Sequence, residues 1–579
     1  MTGYNKKPEI KIEGFIQQGW EPVLEVVEAA LGSKGTLIVE CYTGVNAAEL
    51  TAQLKKMPHA LFIDTVSLFK TEAVIRELTQ PFVTDDILFG QMTALTMDDY
   101  FDPEKLIAAR KKIAAQEGRV IVFGCGADVV TKGGLTIYAD MPRWELQLRM
   151  RKMEGSGLGV DDREEYISVR YKRGLFNDWK ILDHHKQTLY NRVDYWLDTT
   201  VQMLPRMIDK ATFFAGMEKA VSGPFRVVPF FDPAPWGGQW MKAVCDLDRS
   251  VVNYGWCFDC VPEENSLLFN VWGVPFETPA INLVLLKSQE LLGAAILKEF
   301  GKEFPIRFDF LDTMEGGNLS LQVHPTKAFA KKEFGIDYTQ EESYYLMDAK
   351  DDAYVYLGLK TGIDKEQMLG ELETAQEGNG YLFDADKYVN RIPAKKHDHF
   401  CIPPGTIHCS GKNSMVLEIS ATPFIYTFKL WDWNRLGLDG RPRPVNINRG
   451  KEVINWQRDT AVTNSELVNR FTVITSGEGW MEERTGLHET QFIETRRYTF
   501  TKEVVHETNG TLNVLNLVDG EAIVVESEAG EFDPFVVHYA ETFIVPARVK
   551  KYSIKPHGNS VGKECKTIKA FVKPGFFNR

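Results

Sequence analysis

Along residues 318–324, polar and apolar side chains alternate: Ser320, Gln322 and His324 fall between Leu319, Leu321 and Val323. A strand puts every second side chain on one face. The pattern therefore predicts a strand with one apolar face and one face carrying a hydroxyl, an amide and an imidazole, as in a barrel with a lined cavity. Pro325 ends it. A second strand is expected from Glu342 through Asp348, opening with a carboxylate. Residues 402–408 have the Pro-x-Gly-x-x-His form, a tight turn that delivers His408.

Residues 1–205 carry a different rhythm. Short apolar runs at 35–41, 61–64, 120–124 and 135–140 alternate with helical stretches at 47–56 and from Asp102-Pro103-Glu104 to Gln116, the latter opened by an N-cap and a first-turn proline. Strands alternating with helices predict a parallel, helix-covered sheet. Pro205, then a charged helical stretch, then Ser222-Gly223-Pro224 mark residues 206–224 as a linker. From Phe225 onward strands, aromatics and Gly/Pro turns dominate. The exceptions are an amphipathic helix over 288–302 and a helical insertion over 326–338. Further strands follow at 471–474, 512–515, 522–525 and 542–547. The expected fold class is thus an α/β N-terminal domain (1–205), a linker (206–224), a metal-binding β barrel (225–455) and a second, metal-free barrel (456–579).

Bulk properties narrow the function. The 579 residues suffice for several domains. A net charge of −13 argues against nucleic acid or an anionic membrane as a general partner. The first residues show no signal-peptide pattern and no apolar run approaches a membrane span, so a cytoplasmic protein is expected. Eight scattered cysteines fit a reducing compartment. Cys257 and Cys260 form one CxxC without a second pair or a redox setting, and read as strand residues of the barrel wall.

Gln322, His324, Glu342 and His408 supply an amide, a carboxylate and two imidazoles, a ligand set suited to Zn²⁺ with a coordination position left open. His397-Asp398-His399 is a competing pair just before the turn, and otherwise reads as exposed loop. These segments in this order resemble the class I mannose-6-phosphate isomerases, which are metal-dependent cupins. Pro235-Trp236-Gly237-Gly238 and Tyr254-Gly255-Trp256 upstream are similar to that family, as are Leu417-Glu418-Ile419, the run 430–435 and Gly440-Arg441-Pro442-Arg443 downstream. The resemblance spans about residues 224 to 579 and implies a double cupin. It implies Gln322, His324, Glu342 and His408 as ligands of one Zn²⁺ or other divalent ion, and interconversion of mannose 6-phosphate and fructose 6-phosphate through an enediolate. Ser320 matches a position beside the substrate phosphate.

Departures accompany the resemblance. Asp309 and Gln340 stand where the family carries lysines, and Lys429 where it carries an arginine. Arg307, on the same strand face as Asp309, together with Lys429 and Arg443, could restore positive charge, with Arg441 and Lys412 further off. The catalytic set is therefore Ser320, Arg307, Lys429 and Arg443. The partner is a small sugar phosphate, and the aromatic barrel surface is compatible with a homodimer. Alternative readings are an isomerase or epimerase of an unphosphorylated or differently phosphorylated sugar, and a sugar-sensing cupin without turnover. The N-terminal part is similar to the uridine-kinase branch of P-loop proteins. Residues 40–47, however, offer one glycine and no lysine for a phosphate, which implies a kinase-like fold without kinase chemistry. Arg143, Arg149 and Arg151 read either as a solvated helix face or as a phosphate site.

Overall fold

The computed structural model describes residues 3–377, 380–421, 426–486 and 488–578. The chain divides into two compact units.

One unit comprises residues 9–219 with 263–286. Its seven-stranded sheet runs in the order Ile16–Gln18, Arg206–Asp209, Tyr195–Asp198, Leu135–Asp140, Thr36–Cys41, Val120–Gly124, Leu61–Asp64. The five strands from Tyr195–Asp198 to Leu61–Asp64 are parallel, and the other two pair antiparallel. Val120–Gly124 is buried along its whole length, as a strand covered on both faces must be, and is correspondingly apolar. Asp102 caps its helix by accepting from the Glu104 and Lys105 amides, with Pro103 in the first turn.

The segment 206–224, expected as a linker with a charged helical stretch, holds that helix, Lys210–Val221, preceded by the strand Arg206–Asp209. Pairing of Arg206–Asp209 with Tyr195–Asp198 extends the sheet, so Pro205 and Gly223 bracket secondary structure here. The basic helix Arg143–Arg151 is not a solvated face at Arg143 and Arg149. Arg143 donates to Asp183 at 2.6 Å and lies over the Trp179 ring, while Arg149 donates to Glu145 and to the carbonyls of Gly44 and Thr199.

The other unit comprises residues 3–8, 220–262 and 287–578, and is mainly β. A six-stranded sheet has the order His399–Ile402, Glu341–Ala349, Ser414–Ala421, Arg307–Asp312, Trp256–Cys260, Phe230–Asp232. Its five-stranded companion has the order Val389–Pro393, Tyr354–Leu359, His408–Ser410, Leu321–Val323, Phe428–Trp431. A second pair of sheets follows, six-stranded over 472–572 and four-stranded over 504–556, around an apolar core that includes Phe500, Leu515, Ile523, Val525, Phe543 and Ile554. Cys257 and Cys260 lie on the buried wall strand Trp256–Cys260 as free thiols.

The helix expected over 288–302 is broken into Ser288–Leu292 and Ala294–Phe300 at Gly293. Gly293 has φ +85°, and a Cβ there would stand 1.9 Å from the Gly510 carbonyl, so only glycine permits this approach.

Candidate metal centre

The strand around Gln322 is shorter than the alternation predicts. Only Leu321–Val323 is paired, with Ser320 and His324 just beyond its ends. Gln322 pairs directly with His408 on one side and with Lys429 on the other. The five-stranded sheet thereby sets Lys429, Gln322 and His408 in one row.

The facing six-stranded sheet contributes two rows. Arg307, Ser420 and Glu342 are register partners across three strands, and so are Asp309, Glu418 and Tyr344. Because directly paired residues share a face, all six project to the same side. Glu342 identifies that side as the interior, since its carboxylate meets both histidines.

His324, Glu342 and His408 bring one imidazole nitrogen or carboxylate oxygen each to within 4.8 Å of one another, all buried. His324 Nε2 contacts Glu342 Oε2, and His408 Nε2 lies 3.5 Å from the same oxygen. Gln322 Nε2 is 3.3 Å from His408 Nε2. Each histidine presents its other nitrogen to the backbone, His324 Nδ1 to the Tyr426 carbonyl and His408 Nδ1 to the Thr406 carbonyl, both at 2.9 Å. Those carbonyls accept the Nδ1 protons and leave both Nε2 lone pairs facing Glu342, the orientation that metal-binding histidines need. Glu342 Oε1 is buried without a hydrogen-bond partner. Burial by itself would raise the Glu342 carboxyl, but in the absence of a metal the two imidazoles, when protonated, outweigh it and hold the group well below the usual range. An orphaned carboxylate oxygen and two aligned imidazole lone pairs fit a divalent cation.

The remaining expected residues separate into two places. Lys429 is in the row of Gln322, half-buried. Burial, then Arg443, pushes its ammonium down to about 7. Arg307 is in the row of Glu342. Ser320 and Arg443 meet at Asp432: the Ser320 hydroxyl donates to Asp432 at 2.8 Å, and Arg443 donates to both carboxylate oxygens at 3.1 and 2.9 Å. Arg435 donates to Asp432 at 2.6 Å and to the Asn318 carbonyl at 2.6 Å. The Lys412 ammonium instead pairs with Asp352.

The competing histidines are elsewhere. His399 Nε2 lies 2.9 Å from the Ser343 hydroxyl, on the opposite face of its strand from Glu342, and is fully buried. His397 contacts Tyr345 and Asp519.

Sequence reasoning gave no role to Glu418, Tyr344, Asp432 or Arg435. Glu418 is a carboxyl within the wholly buried strand Ser414–Ala421, which was the available signal. Burial, then Glu342 and Asp309, raises its carboxyl well above the ordinary range. The Tyr344 ring meets the His408 ring edge-on at 5.8 Å.

Residues 19–222 match a family model described as a domain of unknown function (DUF8485). A probable mannose-6-phosphate isomerase of Bacillus subtilis is 34% identical over 154 residues, covering 27% of this chain and 45% of that protein. The mannose-6-phosphate isomerase of Streptococcus mutans is 26% identical over 223 residues, covering 38% of this chain and 64% of that protein. The solved mannose 6-phosphate isomerase of Bacillus subtilis aligns with 60% of this chain and all of its own, at 17% identity and a TM-score of 0.49. The chain thus spans 45 to 64% of the length of these curated relatives. No helix among the described residues is long and apolar enough to cross a membrane. Over 154 to 223 of its residues, this chain is similar in sequence to curated mannose-6-phosphate isomerases.

Proposed function

We propose that the first barrel is a zinc-dependent aldose–ketose isomerase that interconverts mannose 6-phosphate and fructose 6-phosphate through an enediolate. The observation that carries this reading is the convergence of His324, Glu342 and His408, with Gln322 beside them, inside one barrel. The similarity to mannose-6-phosphate isomerases supports it. The mixed imidazole, carboxylate and amide donors suit Zn²⁺.

When bound, the cation would supply positive charge to oxygen atoms that become negative as the proton moves between adjacent carbons. The chain's own groups do the rest. Glu418, one row from Glu342, and Lys429, across from Gln322, are the carboxyl and amine placed to take and return that proton. Arg443 supplies positive charge for a substrate phosphate, with Ser320 positioned by Asp432. The wall strands exclude water from the row of Glu342.

One observation favours a second reading, a sugar lacking that phosphate. Asp309 projects into the same interior as Glu342 and would repel a phosphate approaching its row.

The N-terminal unit we read as a kinase-like sheet without kinase chemistry. In support, the loop after Thr36–Cys41 offers no lysine, and Arg149 is spent on the Gly44 carbonyl. The eight free cysteines support a reducing, cytoplasmic setting.

The test is isomerisation of mannose 6-phosphate by metal-reconstituted protein, beside His408→Ala and beside unphosphorylated mannose. Turnover of the phosphorylated sugar that disappears in the variant supports the proposal. Turnover of mannose alone selects the second reading, and no turnover with metal retained overturns both.

A further inference from the structure

The six-stranded sheet of the second barrel treats its two edges differently. At one edge the strand Thr542–Val545 is wholly buried, and Ile544 exchanges backbone hydrogen bonds with Phe225 at 2.8 and 3.0 Å. At the other edge lies Thr472–Gly477. It pairs with Trp480–Gly486 on one side, and no strand among the described residues pairs with it on the other. All six of its residues are exposed, so both faces of the strand meet solvent. Val473 is 57% exposed and Ile474 44%. The run Thr-Val-Ile-Thr-Ser-Gly is rich in β-branched residues and carries neither a charge nor a proline.

An open edge is a template on which another strand can pair, and native edge strands are blunted by charge, by proline, by shortness or by a bulge. Here the one such device is a bulge at Ile474, which has no register partner on Trp480–Gly486. It leaves the edge uncharged. Beyond the strand's ends the charges are opposite, Arg470 before it and Glu478 after it, and both are exposed. Antiparallel pairing of the strand with a second copy of itself sets Thr472 against Gly477 of that copy. Arg470 then arrives beside Glu478 of the other chain, at both ends of the pair. Parallel pairing would instead put like charges together. The chain's net charge of −13 makes two copies repel at most other approaches, so an uncharged strip with opposite charges at its ends is where they can meet.

We propose that Thr472–Gly477 is a self-association edge, at which two copies of this chain add to each other antiparallel and join their six-stranded sheets across a two-fold axis. Main-chain hydrogen bonds supply the attraction, as in other cases of strand addition. Val473 and Ile474 of both copies gather near the axis and bury apolar surface that the single chain leaves in water. Arg470 and Glu478 fix the antiparallel sense. The contact uses the same strand on both sides, so it closes at two copies. The interface is one strand wide and places the dimer among the weak ones. This inference stands whether or not the metal centre is an isomerase.

The test is sedimentation equilibrium of the full chain from about 1 to about 100 µM, with melting curves to establish folding. It is run on wild type, Ile474→Lys, Arg470→Glu, the double exchange of Arg470→Glu with Glu478→Arg, and Val561→Lys. Wild type should form dimers and nothing larger. Ile474→Lys puts like charges together near the axis, and Arg470→Glu puts them together at the strand ends. Each should weaken dimerisation about tenfold or more. The double exchange should restore it, because opposite charges meet again. Val561→Lys alters a valine that is 69% exposed outside this strand, and should change nothing. If Ile474→Lys does not fold, Arg470→Glu decides. The proposal is overturned if wild type stays monomeric throughout, which would leave the edge to a different protein, or if assembly grows past two copies. It is also overturned if the folded strand variants dimerise like wild type, or if the double exchange is no better than Arg470→Glu alone.

Discussion

Asp309 lies directly opposite Glu418 on neighbouring antiparallel strands, so two buried acids face each other one row from Glu342. Replacing Asp309 by Asn removes a negative charge from that interior while keeping the side chain's shape. The expected outcome is a rise of about tenfold in kcat/KM for mannose 6-phosphate relative to mannose, from relief of charge repulsion at a few ångströms. Steady-state kinetics on both sugars checks it. An unchanged ratio would mean that no substrate phosphate approaches this row.

Glu342 provides the only anionic oxygen in the imidazole cluster. The Glu342→Gln variant is expected to lose divalent-metal affinity by more than about a hundredfold, beyond what loss of a supporting hydrogen bond costs. Metal analysis after dialysis, with circular dichroism to confirm the fold, measures this. Retention of stoichiometric metal would remove Glu342 from the ligand set.

Asp432 is buried and accepts hydrogen bonds from Ser320, Arg435 and Arg443. Its replacement by Ala leaves both guanidinium groups short of their counter-charge. A loss of about 3 kcal/mol in urea unfolding is expected, against about 1 kcal/mol for Ser320→Ala, which removes a single hydrogen bond. Equal effects would show that the arginines find other partners.

His399 is fully buried, and burial, then Arg497, pushes its pKa down to about 3. In the unfolded chain the group titrates near an ordinary value of about 6.5. Below that pH the unfolded state binds a proton that the folded state refuses. The contribution is therefore complete above about pH 6.5 and is lost as pH falls toward 3, at about 1.4 kcal/mol per pH unit. Urea unfolding between pH 7 and 4 should show a shallower acid loss in His399→Gln, whose amide can still bond to Ser343. Parallel curves would contradict a neutral His399.

Gly293 can be tested in the same way. An Ala side chain there meets the Gly510 carbonyl at 1.9 Å from a left-handed backbone, so Gly293→Ala should destabilise by more than about 1 kcal/mol in thermal unfolding.

Much of this protein is determined by local pattern. The alternation around Gln322, the acid opening the Glu341–Ala349 strand and the tight turn before His408 each name a side chain and its face. A strand's period of two survives any long-range arrangement. The Asp102 cap and the parallel sheet were legible because caps and buried apolar runs are local too.

What only the tertiary structure decided depends on which strands become neighbours. The pairing of Asp309 with Glu418, of Gln322 with Lys429 and of Arg307 with Glu342 through Ser420 joins residues far apart in sequence. The Thr406 and Tyr426 carbonyls that orient the histidines are backbone atoms with no residue signature. His399 read from the sequence as a competing ligand or otherwise as exposed loop; the register instead put it, fully buried, on a strand with its side chain on the opposite face from Glu342.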